Sequence, residues 1–379
     1  MKSLISVKLF LALCLGVVGS GFPVRAADTF VVHEWGTFTS VSGSDGVMLP
    51  GLEVEEERLP NFVHSFSEVT ATSKGLNHPV KNVTVKMETP VLYFYAAEPL
   101  TAQIEVGFHG GSISQWYPDR VGGETLPASV DFAIGYNGSA MWKVEVLAKG
   151  SAEKITAPTA GETTQWPRAR VAEANRVRGP KGEVEGFIFY RGVGNFHLPL
   201  EVKAAPDGTL TLHNAGGDDI AFAWVYEVPG KSGERSHAWW GKLTAGGTTT
   251  VAPDTTDASA RMKIPFHAAL CQAGLSAAEA TALMDTWRES YFARPGLRIF
   301  WIVPRAFTDK ILPISIMPRP DKLERVLVGR SELLTPSFEK ELVEGFRSDG
   351  GARWANDRYF LAYRERARQL GVVLPVNTP

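Results

Sequence analysis

His33 and Glu34 are the adjacent residues whose types are best suited to acid–base or metal chemistry. A zinc protease carries such residues as His-Glu-x-x-His, but Thr37 stands at the fifth position here, so that motif is absent. The surrounding pattern is that of a strand, which places His33 and Trp35 on one face and Glu34 on the other. A divalent metal at His33 and Glu34 would therefore need distant ligands, and hydrogen-bonded structural roles are the alternative. The candidate distant ligands are His64, His78, His109 and Glu88.

A second polar segment begins at Arg191 and contains two glycines spaced by one residue. This spacing occurs in dinucleotide-binding loops, but His197 occupies the third glycine position and Pro199 follows where a helix would start. The sequence therefore excludes a Rossmann loop. It predicts a tight turn that leaves Arg191 and His197 near a surface, where Arg191 would clamp an anion or form a structural salt bridge.

Aromatic residues are frequent and include 10 Trp. Trp35 lies beside His33, and the pairs Trp116-Tyr117 and Trp239-Trp240 are expected to be exposed. Flat aromatic faces stack on sugar rings when they are exposed and fill sandwich cores when they are buried. Filling of cores and interfaces is the default for such residues, and binding of a glycan or protein ligand on an aromatic-lined β surface is the functional interpretation.

The remaining reactive residue types give weaker indications. Cys271 lies in an apolar helical pattern, which indicates a buried structural thiol, and His267 one turn earlier is the partner that a nucleophile would need. An acidic cluster lacks the spacing of an EF-hand and indicates a solvated loop. Its members are Glu53, Glu55, Glu56 and Glu57. The chain has neither a Gly-x-Ser-x-Gly elbow nor a Walker loop.

The elements that position these residues are predicted to be a β-rich α+β fold. Short aromatic and β-branched runs separated by Gly, Pro and Asp-Gly indicate an antiparallel sandwich-like domain over residues 27–228. Asp207-Gly208 is its strongest hairpin turn. Residues 229–260 indicate a connection with one hairpin around Gly246-Gly247, and residues 261–379 indicate a smaller mixed α/β part.

The sequence of this C-terminal part contains two signals for the start of a helix. Ser276 and Glu279 match a capping box ahead of a helix that is predicted to reach Tyr291. Thr335-Pro336 predicts the start of another helix. Further predicted elements are strands at 297–303, 311–317 and 325–328 and a final helix at 355–370.

Two stretches together resemble an uncharacterised bacterial family. Residues 90–95 and the later Trp-Tyr-Pro at 116–118 are similar to that family's Lys-Pro-Val-Ile-Tyr-Leu-Tyr-Pro segment and Tyr-Pro turn. Residues 312–321 are similar to its Leu-Pro-x-x-Ile-x-Pro-x-Pro-Asp loop. The chain departs from the pattern at Thr89 and Ala96. The family has no assigned activity, so the resemblance implies one integrated unit and no catalytic residue.

The N-terminus predicts export. Lys2 and Lys8 precede an apolar run, and Val24-Arg25-Ala26 fits a signal-peptidase site, so residues 1–26 are predicted to be a signal peptide. The run is too short for a bilayer-spanning helix, which needs roughly 20 residues. We therefore expect a periplasmic or secreted protein with no membrane span.

Composition limits the partners. The formal net charge of −2 gives no basic footprint for nucleic acid. With no recognised catalytic constellation, the sequence favours non-enzymatic binding of a cell-envelope or extracellular ligand, either a glycan or a protein. The alternative is a metal-dependent hydrolase that uses His33 and Glu34.

Overall fold

The fold is β-rich α+β, as the sequence predicted. The structure is a computed structural model that describes residues 29–54, 58–66, 76, 80–127, 129–156, 165–230, 236–253 and 263–374. The predicted signal peptide lies outside the described residues, as do His78 and three of the four acidic-cluster glutamates. Within these ranges no helix has the length and apolar character needed to cross a bilayer.

Strands account for about 40% of the described residues, against 22% in helices. They are β1 (Phe30–Ser42), β2 (His64–Ser65), β3 (Val80–Lys81), β4 (Val85–Met87), β5 (Val91–Ala96), β6 (Leu100–His109), β7 (Gly111–Tyr117), β8 (Gly122–Gly123), β9 (Val130–Asp131), β10 (Asn137–Val146), β11 (Val177–Arg178), β12 (Val184–Glu185), β13 (Ile188–Gly194), β14 (Leu200–Ala204), β15 (Leu210–Asn214), β16 (Ile220–Val228), β17 (Ala238–Leu243), β18 (Thr248–Val251), β19 (Gly296–Ile302), β20 (Ile314–Met317) and β21 (Lys322–Leu333). The α-helices are α1 (Lys263–Gln272), α2 (Ala277–Thr286), α3 (Arg288–Phe292), α4 (Arg305–Ile311), α5 (Pro336–Asp349) and α6 (Phe360–Gln369). Short 3-10 helices span Phe132–Ile134, Trp166–Val171 and Ala352–Trp354.

A 16-stranded sheet contains most of these strands, and β1 lies near its middle. β1 pairs in parallel with β21 along nearly its whole length and antiparallel with β5 and β4. β19 joins β21 to β16, so strands from both predicted parts of the chain form one sheet. β14, β15 and β18 form a separate three-stranded sheet.

Side-chain alternation along β1 divides the core between the two faces of the sheet. Val32 belongs to a cluster that also takes side chains from β6, β10, β14 and β15, so strands pack face to face across it. Trp35 belongs to a second cluster, which α1, α2 and α3 cover. Val41 belongs to a third, which is built with α5 and α6. Residues that are adjacent along β1 therefore face different environments.

Three local predictions are confirmed. Asp207-Gly208 forms the turn between β14 and β15, with Gly208 at φ +88°. Ser276 and Glu279 form both hydrogen bonds of a capping box at the start of α2. Thr335 caps α5 with its side chain, and Pro336 follows at the first helical position.

The helix predicted to continue to Tyr291 is interrupted. Trp287, at φ −103° and ψ 13°, ends α2 and precedes α3. Its ring is buried and stacks on Tyr291 at 4.8 Å. The non-helical backbone at Trp287 therefore coincides with burial of its side chain, and the helical sequence pattern does not predict this break.

Other boundaries also differ from the predictions. The hairpin predicted around Gly246-Gly247 is wrong, because β17 pairs with β16 and β18 pairs with β15. The two strands flank one turn but belong to different sheets. Ile311 ends α4 instead of starting a strand, and the strand predicted at 325–328 extends over the full length of β21.

Candidate functional site

His33 and Glu34 lie on opposite faces of β1, as their alternation predicted. His33 Nδ1 lies 3.0 Å from both carboxylate oxygens of Glu279. On the other face, Glu34 accepts hydrogen bonds from Tyr190 and Arg325, both at 2.5 Å. Since the two side chains diverge, they do not form one ligand pair for a single ion.

The His33 side of β1 carries a carboxylate–imidazole pair at the start of α2. Glu279 is fully buried, and it also accepts hydrogen bonds from the Tyr95 hydroxyl at 2.6 Å and from the backbone N–H of Ser276 at 2.7 Å. The His33 side chain keeps 15% exposure, and its Nε2 has no hydrogen-bond partner among the described residues. A carboxylate that is hydrogen-bonded to Nδ1 fixes the orientation of the imidazole ring. Histidines that act as bases or metal ligands are held in the same way.

The described residues contain no group of three or more His, Cys, Asp or Glu side chains arranged to hold a metal ion. Two of the described distant candidates, His64 and Glu88, have other partners. His64 Nε2 lies 2.5 Å from Glu183, and Lys86 lies 3.4 Å from Glu88. A divalent metal at His33 stays a prediction.

Glu279 is expected to make the protein acid-sensitive. Burial raises the pKa of its carboxyl, but hydrogen bonds from His33 and Tyr95 outweigh burial and lower the pKa below its ordinary value of 4.5. Stability from this depressed pKa is present above pH 4.5 and is lost as the pH falls through the folded-state pKa. In urea titrations at pH 7, the unfolding free energy of wild type should clearly exceed that of Glu279→Gln. This difference in unfolding free energy should narrow below pH 4.5. A gap that does not change with pH would contradict this assignment.

Glu34 lies in a buried polar network that sequence reasoning missed. Arg325 donates through Nη1 to Asp309 at 2.8 Å and to the carbonyl oxygen of Leu312 at 2.7 Å, in addition to its bond to Glu34. Burial lowers the pKa of the Arg325 guanidinium, but the Glu34 carboxylate more than compensates and raises it. The partners come from strands and helices far apart in sequence, so no local signal identifies them.

Arg191 does not lie near a surface, and the tight turn predicted around it is wrong. Gly192 and Gly194 belong to β13, where Arg191 is 1% exposed and donates from Nε to Gln115 at 2.6 Å. Burial lowers the pKa of Arg191 to about 9. The glycines serve close strand packing, because a Cβ at Gly192 would lie 1.7 Å from the carbonyl oxygen of Ser112 on β7.

Most of the predicted aromatic surface is buried. Trp35 is 0% exposed, and Trp116 and Tyr117 are 6% and 1% exposed, so the prediction that this pair is exposed is wrong. Strand β7, which carries the pair, is covered along its length by the surrounding core. Trp240 is 51% exposed and stacks on Phe222 at 5.9 Å. These aromatics mainly fill the core, which is the default role of such residues.

His197 is exposed and lines a cleft of about 370 Å³ between the ends of β1 and β21 and the strand β14. We call it the Asn195 cleft. Its described lining contains two acidic residues, Glu201 and Glu332, and no Lys or Arg. Its uncharged polar members are Ser40, Ser42, Thr84, Asn195 and Ser331. Of the residues predicted for binding, His197 is the one the structure places in this cleft; its hydroxyl-bearing neighbours have no motif that would identify them in the sequence.

The thiol–imidazole pair on α1 is loosely arranged. Cys271 is half-buried, and its Sγ lies 3.8 Å from His267 Nδ1. His267 Nε2 lies 3.2 Å from the Thr281 hydroxyl. The thiol is therefore less buried than the sequence predicted. Glu53, the described member of the acidic cluster, is half-buried, and burial raises its pKa.

Comparisons with known proteins add little. No family model matches the chain, and no curated protein matches it, so the resemblance to the uncharacterised bacterial family stays a prediction. Two solved structures of the yeast delta-COP-I mu-homology domain are similar to 81% of this chain and 98% of theirs. One, complexed with a Dsl1 WxWxV peptide, has 8% identity and a TM-score of 0.29, and the other has 6% identity and a TM-score of 0.30. Similarity at this level carries no inference about fold or function.

Proposed function

We propose that this is an exported, non-enzymatic binding protein that takes a neutral glycan fragment of the cell envelope in the Asn195 cleft. The observation that carries the proposal is the lining of that cleft. Hydroxyl and amide groups stand beside apolar side chains and the carboxylates of Glu201 and Glu332, without a Lys or Arg among the described lining residues. A neutral ligand with hydroxyl groups suits this wall better than an anion does.

The polar groups of the cleft are held in place by one another. Thr84 donates its hydroxyl to Asn195 Oδ1 at 2.9 Å, and the Asn195 Nδ2 donors have no partner among the described residues. Ser40 donates to the Ser331 hydroxyl at 3.3 Å. Phe196 supplies an aromatic wall, on which the C–H face of a sugar ring packs. The cleft volume of about 370 Å³ falls within the usual range of small-molecule sites, about 300–1,000 Å³.

The test is a glycan-array screen of the purified protein, followed by titration calorimetry with the best hit. Ser42→Tyr should fill the cleft and weaken binding at least tenfold, because Ser42 is half-buried in its wall. Ser315→Tyr makes the same change on the exposed surface of β20 and should leave affinity unchanged. Equal affinity of wild type and Ser42→Tyr, or no glycan hit at all, would contradict the glycan proposal.

The competing hypothesis is a metal-dependent hydrolase, and the Glu279–His33 pair is the observation that favours it. Elemental analysis of the purified protein separates the two functions. A stoichiometric metal that is lost in His33→Ala would contradict the non-enzymatic proposal. The binding protein we propose should contain none.

A further inference from the structure

His237 lies directly before β17 and connects two sheets through its imidazole ring. Its Nδ1 lies 2.7 Å from Glu227 Oε2 on β16, in the large sheet. Its Nε2 lies 2.6 Å from the carbonyl oxygen of Gly208, in the turn between β14 and β15 of the three-stranded sheet. The residue is 7% exposed, so little solvent reaches the ring. One side chain therefore joins the edge of the large sheet to the tip of a hairpin in the other sheet.

The partners of His237 determine its protonation. A backbone carbonyl oxygen only accepts hydrogen bonds, so Nε2 must carry a proton to bind Gly208. Glu227 Oε2 accepts the backbone N–H of His237 at 2.8 Å, and it is the acceptor for Nδ1 as well. Both ring nitrogens are donors only in the imidazolium form, and a neutral ring would lose one of the two hydrogen bonds. The contacts therefore require a cationic ring.

The Glu227 carboxylate stabilises this cation. Burial lowers the pKa of His237, but the hydrogen bonds to Glu227 and to the Gly208 carbonyl oxygen outweigh burial and raise the pKa above its ordinary value of 6.5. Since the folded-state pKa is raised, stability from these contacts is fully present below pH 6.5. It is lost as the pH rises through the folded-state pKa.

The other charged groups of the elements around the ring have partners of their own. In the turn, Asp207 accepts a hydrogen bond from the backbone N–H of Thr209 at 2.9 Å. On β17, Lys242 pairs with Asp219. β16 carries no charged residue besides Glu227. The charge of the ring is therefore tied to that one carboxylate.

We propose that cationic His237 is a pH-sensitive latch that fastens the β14–β15 hairpin to the large sheet and releases its tip when the ring gives a proton to solvent. A neutral ring holds Glu227 or Gly208, but not both. Another link of the hairpin, from the backbone N–H of Ala204 to the carbonyl oxygen of Ser44 at 2.9 Å, contains no titratable group. The apolar side chains of β14 and β15 also stay in the core, so release loosens the tip without detaching the hairpin.

The latched hairpin also forms part of the wall of the Asn195 cleft. Leu200, Glu201 and Val202 of β14 line this cleft, and β14 leads directly into the turn that contains Gly208. Release of the latch therefore makes the wall of the cleft less rigid above the folded-state pKa of His237. This consequence deepens the proposed function and rests on it, whereas the latch itself is tested without any ligand.

The test is hydrogen–deuterium exchange of the purified full chain at pH 6 and pH 9, with wild type compared with His237→Gln. Residues 204–210 have the same sequence in both proteins, so their intrinsic exchange rates cancel at each pH. At pH 6 this segment should exchange roughly threefold to tenfold more slowly in wild type, the effect of one net hydrogen bond. At pH 9 the two proteins should exchange at equal rates. A ratio that is the same at both pH values would overturn the proposal.

NMR of the imidazole nitrogens measures the protonation of His237 directly. Both nitrogens should carry protons at pH 6, with a titration midpoint above 6.5. Glu227→Gln keeps the shape of the partner but removes its charge, so the midpoint should fall and protection of the hairpin should be lost at a lower pH. A midpoint below 6.5 in wild type would show that the latch is not cationic at neutral pH. If His237→Gln does not fold, this titration and Glu227→Gln decide the question.

His267→Gln is the matched control. The Nε2 of His267 lies 3.2 Å from the Thr281 hydroxyl on α2, outside the hairpin. Its replacement should leave exchange of residues 204–210 unchanged at both pH values. If His267→Gln altered the exchange of this segment as His237→Gln does, the effect would be a general loss of stability, and the latch would be disproved.

Discussion

Replacing Arg325 by methionine should lower the free energy of unfolding by about 3–5 kcal/mol. The change removes the cationic partner of Glu34, which is 3% exposed and cannot recover its hydration in the folded state. It also leaves the carbonyl oxygen of Leu312 without the Arg325 donor. Breaking a buried ion pair from one side is costly because the remaining charge stays buried and unpaired. Urea unfolding at pH 7 measures the loss.

A double variant and a surface control separate this effect from lost packing. Glu34→Leu combined with Arg325→Met removes both charges and should recover part of the stability, although the Tyr190 hydroxyl then loses its acceptor. Arg288→Met is the surface control. It breaks the ion pair between Arg288 and Asp285, in which the Arg288 side chain is 58% exposed. It should cost less than about 1 kcal/mol. A loss below about 1 kcal/mol for Arg325→Met as well would show that the buried pair is not a major stabilising contact.

Gly192→Ala should cost about 3 kcal/mol of unfolding free energy. The new Cβ would lie 1.7 Å from the carbonyl oxygen of Ser112, and backbone cannot move aside as a flexible side chain can. The pairing of β13 with β7 shifts register between Arg191 and Gly192, so the clash falls at an irregular point of the sheet.

Gly186→Ala is the control, six residues earlier in the chain. A Cβ at Gly186 would meet no atom within 4 Å, and no positive φ restricts the position. Its unfolding free energy should stay within about 0.5 kcal/mol of wild type. If the two alanine variants were equally stable, the close approach of β7 and β13 would be disproved.

The sequence by itself determined the features that depend on neighbours in the chain. The capping box of Ser276 and Glu279 and the Asp207-Gly208 turn are set by residues a few positions apart, and each was predicted correctly. The divergence of His33 and Glu34 also follows from the strand period alone. The β-rich α+β class followed from the same short-range patterns.

Tertiary structure decided which distant groups meet and which residues water reaches. Glu279 was predicted only as a helix cap, yet its carboxylate also binds His33 and Tyr95, which are more than 180 residues away in the chain. The glycines after Arg191 carry a turn-like spacing, but the approach of β7 places them in a strand. The sequence likewise did not determine whether Trp116 is exposed or which residues contact Glu34. Such contacts depend on how whole strands and helices pack, and residue spacing along one segment contains no information about the segments that will cover it.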